Sequence, residues 1–155
     1  MVAAAAAVFM VIVAAVPASA EKVDDLADVR HATNQFRSLM QADRAGYVPF
    51  LPCFDAPGVG GMGQHFLNEP LLDGIIEATK PEVLVYEPHQ DGYKLVAVEY
   101  VVPQALWTGD HAPMLFGEPF HPNATLGIWA LHAWIWRDNP LGVHEDYSPN
   151  VRMCP

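Results

Sequence analysis

Four side chains in this 155-residue chain are competent to bind metal and fall where water should be scarce: His65, Glu99 and His132, with His121 in a segment preceding the last of them. An ionised carboxylate in apolar surroundings costs several kcal/mol unless it is paired or coordinated. Glu99 sits inside Val96-Ala97-Val98-Glu99-Tyr100-Val101-Val102 and therefore demands a partner. Lys94 is expected on the opposite face and Arg137 at a strand end, which leaves histidines or a bound cation as the economical partners. Two histidines and a carboxylate with open positions form the ligand set of many non-haem iron and zinc sites, with His121 available as a fourth ligand. Zinc, copper and iron all accept imidazole and carboxylate donors, to carry the ion or to activate water or oxygen on a small molecule. No HExxH spacing fixes two ligands on one element, so convergence depends on the sheet. Two other readings of the same residues stay open. One is a metal-free pocket doing acid–base work or binding a hydrophobic small molecule, and the other is a buried structural network in which Glu99 pairs with a histidine.

The elements that must position these groups follow from periodicity. Over 23–45 the apolar residues Leu26, Val29, Ala32, Phe36, Leu39 and Met40 recur at spacings of three and four, the pattern of an amphipathic helix. Asp24 and Asp25 suit its start and Gly46 its end. Arg30, Arg37 and Arg44 fall on another stripe, read as a solvated face. The 47–63 stretch, with its prolines and glycines around Cys53, is expected to be irregular, and a strand is expected over 62–67. The glycines before His65 lack the order of a phosphate loop. They point instead to close backbone approach by another element or a ligand.

Strands over 82–87 and 93–102, joined through Asp91-Gly92, read as a hairpin with His89 exposed at its tip. Strict alternation places Tyr93, Leu95, Ala97, Glu99 and Val101 on one face and Lys94, Val96, Val98, Tyr100 and Val102 on the other. The 103–125 segment is a long loop suited to a lid or binding role, with His111 exposed; His144 is likewise expected to be exposed. The 126–137 run is a strand that encloses His132. Trp129, Trp134, Trp136 and Tyr100 share strands with the buried polar groups, so a ligand is expected to meet π-faces.

Composition bounds the function. A net charge of −10 with only eight Lys and Arg leaves no basic patch for nucleic acid or an anionic membrane, and 52% hydrophobic residues exclude a disordered chain. Residues 1–20 are an uncharged apolar run ending in Ala18-Ser19-Ala20, which reads as a signal peptide cleaved after Ala20, with 21–155 as one exported domain and no stable membrane insertion after cleavage. Export makes pairing of Cys53 with Cys154, the two cysteines of the chain, the expected outcome.

The strings Gly61-Met62-Gly63-Gln64-His65, Val98-Glu99-Tyr100 and His132-Ala133-Trp134-Ile135-Trp136, followed by Asn139-Pro140, resemble a family of small secreted bacterial proteins. The resemblance covers most of 21–155 and supports export and the disulfide; it implies no reaction and no cofactor. Cupins, which hold His and Glu ligands on a small barrel, are set aside because no His-x-His pair follows His65. The fold expected is α+β: an N-terminal amphipathic helix packed on a curved, mainly antiparallel sheet or small barrel. The function expected is a secreted protein binding a divalent transition metal through His65, Glu99, His132 and His121. The alternative is a metal-free module for a hydrophobic small molecule.

Overall fold

The computed structural model describes residues 26–155, so the expected signal peptide and Asp24 and Asp25 lie outside the described residues. The fold is α+β, with short N-terminal helices on one face of a six-stranded antiparallel sheet. No helix among the described residues is long and apolar enough to cross a membrane.

The expected continuous helix is broken into α1 (Leu26–Thr33), a 3-10 turn (Asn34–Arg37) and α2 (Leu39–Arg44). Thr33 donates its hydroxyl back to the Val29 carbonyl, and Ser38 adopts an extended conformation with ψ 112°. Both residue types compete locally with helical hydrogen bonding, which is why the apolar stripe survives while the backbone changes path. The chain turns after α2 through Gly46 at φ +97°, as expected.

The sheet runs β1 (Val48–Ala56), β2 (Gly60–Leu67), β3 (Val83–His89), β4 (Gly92–Pro103), β8 (Ile128–Ala133) and β7 (His121–Asn123) in spatial order, with β5 (Met114–Leu115) and β6 (Glu118–Pro119) as a small separate hairpin. The expectation of an irregular 47–63 is overturned, because β1 and β2 form a hairpin there. The prolines are tolerated since β1 is an edge strand, where Pro49 and Pro52 withhold N–H groups from one side only. A register shift between Phe50 and Phe54, with Leu51 at φ +61°, absorbs the rest. The glycines do mark a close approach, and the approaching element is the C-terminal tail. A Cβ on Gly61 would lie 2.4 Å from the Arg152 carbonyl oxygen, and Gly61 bridges to Ser148.

The β3–β4 hairpin forms as expected, with one correction. Tyr86 pairs with Leu95 and Val85 with Ala97, so Val96 is an extra residue. Its carbonyl accepts the N–H groups of Trp136 and Arg137. This bulge reverses the facing of everything before it: Leu95 joins the helix-side core with Tyr86, Val98 and Tyr100, while Val96, Ala97 and Val101 join a second core with Leu67, Val83, Val85 and Trp134. Glu99 projects on the second side. Residues of β1 and β7, the two edges, line one common cavity, so the sheet is curled.

The sheet is tied to the segments that cover it by buried bonds. Tyr86 donates its hydroxyl to the Phe36 carbonyl and Tyr100 donates to that of Ala78. The arginine stripe is solvated as expected, with Arg30, Arg37 and Arg44 all exposed, and two of its members also make contacts: Arg30 and Arg37 stack over Trp136 at 4.6 and 5.5 Å and Arg30 donates to the Ile135 carbonyl. His89 is not a free tip residue: its Nε2 lies 2.6 Å from Glu87, which is 1% exposed. Burial raises the Glu87 pKa, but the Arg152 N–H, His89 and Arg137 outweigh it and hold the carboxyl below its usual range. Replacing Arg137 with leucine leaves that carboxylate with His89 and the Arg152 N–H alone, and a loss of about 1.5–3 kcal/mol in urea denaturation, the worth of a hydrogen bond to a charged group, is the expected outcome.

The disulfide between Cys53 and Cys154 is present, with Cα atoms 5.8 Å apart.

Candidate metal centre

Three central strands each deliver one polar side chain to the cavity side of the sheet. Glu99 and His132 are direct cross-strand partners on β4 and β8, so their side chains rise together. His65 on β2 pairs with Val85, two residues along from Val83, which pairs with Glu99; His65 therefore reaches Glu99 diagonally across β3. Small Ala97, opposite Val85, leaves room for that reach.

His65 Nε2 lies 3.5 Å from Glu99 Oε2, and His132 Nε2 lies 3.7 Å from Glu99 Oε1. All three residues are buried, with one donor atom from each within 4.8 Å of the others. Ligands about 2.1 Å from a tetrahedral ion are about 3.4 Å apart, close to the 3.5 and 3.7 Å that separate each imidazole from one oxygen of Glu99. His65 Nδ1 and both ring nitrogens of His132 are buried without a hydrogen-bond partner. A purely structural polar network would satisfy His132 Nε2, the nitrogen that faces Glu99, and leaving it bare is costly. The cluster can hold a metal ion.

His121, the expected fourth ligand, lies on β7 at the cavity rim, half exposed and outside this cluster. Its Nδ1 is 3.7 Å from Asp146 Oδ1, and the same oxygen lies 3.5 Å from His132 Nδ1. Asp146 is thus a carboxylate behind His132, the position from which a second residue fixes the tautomer of a ligating imidazole. Its only sequence signal was its charge in a turn-rich tail. Burial pushes the His65 imidazole below its ordinary pKa against the pull of Glu99. For His132 burial acts the same way, but Glu99 and Asp146 together hold that ring above the ordinary value. Asp146 is held below the usual carboxylate range by His132 first and also by His121.

The π-lined pocket is corrected. Of the four aromatics expected there, only Trp134 touches the cluster, stacking on His132 at 6.0 Å. Tyr100 and Trp129 pack on the helix-side core because their parity places them across the sheet, and Trp136 joins them because β8 has ended at Ala133 before it. The aromatic beside His65 is Phe54, edge-on at 5.8 Å. His144, expected in solvent, is half-buried, with Nδ1 2.7 Å from the His132 carbonyl oxygen; His111 is exposed.

Glu82 is another buried carboxyl, beside Glu87 and Glu99, that periodicity did not single out. Its Oε2 accepts the Val101 N–H at 3.0 Å, and burial pushes its pKa up to about 8. The folded chain therefore keeps this proton while an unfolded chain loses it near 4.5. Stability is fully present below the unfolded value and falls by roughly 1 kcal/mol per pH unit as pH rises toward 8. In Glu82→Gln that slope should vanish, as urea denaturation at pH 5, 7 and 9 would show; an unchanged slope would assign it elsewhere.

No family model, no curated protein and no solved structure matches this chain.

Proposed function

We propose that this protein binds one divalent transition metal ion through His65, Glu99 and His132. The observation that carries the reading is the convergence of three buried donors from three strands, with His132 Nε2 facing Glu99 and lacking a hydrogen-bond partner. A shared cation would remove the cost of the bare His132 Nε2 and supply the counter-charge for Glu99. Nitrogen and carboxylate donors suit zinc, copper or iron. When bound, such an ion with three protein ligands offers Lewis-acid chemistry at its open positions. Export belongs to the same reading and is supported by the disulfide, by the Ala18-Ser19-Ala20 ending of the apolar run, and by the resemblance to secreted bacterial proteins.

Protein expressed without a His-tag should carry about one metal ion per chain by elemental analysis, the stoichiometry of a single closed ligand set. Metal-free protein that takes up none of zinc, copper and iron would remove the centre. A second reading, a metal-free module for an apolar small molecule, draws on the apolar-walled cavity of about 730 Å³ beside the cluster. Ligand binding that persists unchanged after chelation would favour it.

A further inference from the structure

The three donors form part of the wall of that 730 Å³ cavity, a volume typical of sites for drug-sized molecules, so an ion they hold turns its open positions toward the cavity. The rest of the wall is largely apolar, with Phe54, Leu67, Val101 and Ile128 among its residues. Histidine binds metal as the neutral imidazole, so Glu99 is the one ligand that offsets charge, and a divalent ion keeps one positive charge at the cavity wall. Asp146 does not cancel it. That carboxylate stands behind the His132 ring, 3.5 Å from Nδ1, is shared with His121 at 3.7 Å, and is half exposed, where water and salt screen it. His121, on the rim, adds no negative charge. A group touching the ion outweighs a charge one imidazole away, because Coulomb energy falls with distance and rises as water is excluded. The net charge of −10 belongs to the whole chain, and charges more than about 10 Å away are screened at 0.1 M salt, so it slows an anion's approach more than it weakens contact with the ion.

Resting on the metal reading above, we infer that the ligand of this cavity is a monocarboxylate with an apolar body, its carboxylate on the open side of the ion and its body against the apolar wall. One negative charge matches the one positive charge left on the ion. No lysine or arginine among the described residues lines the cavity, and Asp146 already engages His121, so a second acidic group on the ligand has no free cation to grip it. Dicarboxylates and phosphate esters therefore do not fit. For the same reason the carboxylate gains its hold only while the ion is in place.

The full chain is loaded with zinc, or with copper or iron where zinc does not bind, then dialysed, and its metal content is measured by elemental analysis. It is titrated with naphthoate, naphthylmethanol and naphthalenedicarboxylate, and binding is read by calorimetry. The three probes share one ring body and carry one, no and two negative charges. Naphthoate should bind the loaded chain at least about tenfold more tightly than either of the others, and chelation should erase its advantage over the alcohol. Alcohol or dicarboxylate binding the loaded chain as tightly as naphthoate, a naphthoate advantage that survives chelation, or no binding of any probe overturns the inference, while the measured metal leaves the metal reading standing. Failure to take up any of the three metals removes both, and is seen before any probe is added.

Discussion

Glu99→Ala is expected to abolish the rise in melting temperature that zinc confers. Zinc at a hundred times its dissociation constant stabilises a protein that binds it only when folded by about 2.7 kcal/mol, which corresponds to roughly 10 °C for a domain of this size. Glu99 is the one carboxylate in the cluster and the only donor facing both histidines. Changing an outer-shell partner typically weakens metal binding 10–100-fold, so loss of a direct ligand should exceed about 100-fold. Asp146→Asn, acting behind His132, should fall within that smaller range. Thermal unfolding at matched zinc concentrations reads both. A zinc-dependent rise that survives in Glu99→Ala and in His132→Ala would place the ion elsewhere; no rise in the wild type would return these residues to a structural network.

Removing the disulfide should cost more stability than any other single change proposed. Cys53 and Cys154 are 101 residues apart in sequence, and cross-linking a loop of that size restricts the unfolded chain by about 4–5 kcal/mol. That is a large share of the 5–15 kcal/mol that holds an ordinary domain folded. The bond also fixes a tail that packs Val151 into the second core, while Cys154 N–H donates to Asp55, Arg152 N–H to Glu87, and Gly61 exchanges backbone bonds with Ser148. Phe54, next to Cys53, packs against His65, so a loosened β1 also weakens the metal cluster. The Cys53→Ser, Cys154→Ser double variant, or wild type in reductant, should unfold at a much lower urea midpoint and bind zinc more weakly. An unchanged midpoint would show that the tail is held by its packing and hydrogen bonds alone.

The core of the site could be read in advance because Glu99 and His132 are single polar residues inside apolar runs, where a strand's two-residue period leaves them nowhere to go but inward. The β3–β4 turn was legible from Asp91-Gly92, and the disulfide from the presence of only two cysteines. Residues whose placement depends on partners distant in sequence were not. Phe50 to Phe54 became strand because β2 lay beside them to pair with, against their local preference for irregular structure. The extra residue at Val96 carries no composition signal, yet it changes the facing of Tyr93 and Leu95. Asp146 reaches His132 across a tail without periodicity, and Glu87 finds Arg137 fifty residues away. Each of these is a tertiary choice made among locally equivalent options.

The two margins of the six-stranded sheet carry prolines, Pro49 and Pro52 on β1 and Pro122 on β7. A strand arriving from another copy would meet missing amide donors at both borders, so the ladder has no template on which to grow. With a net charge of −10 repelling like copies as well, both borders of the sheet discourage edge-to-edge assembly at high concentration.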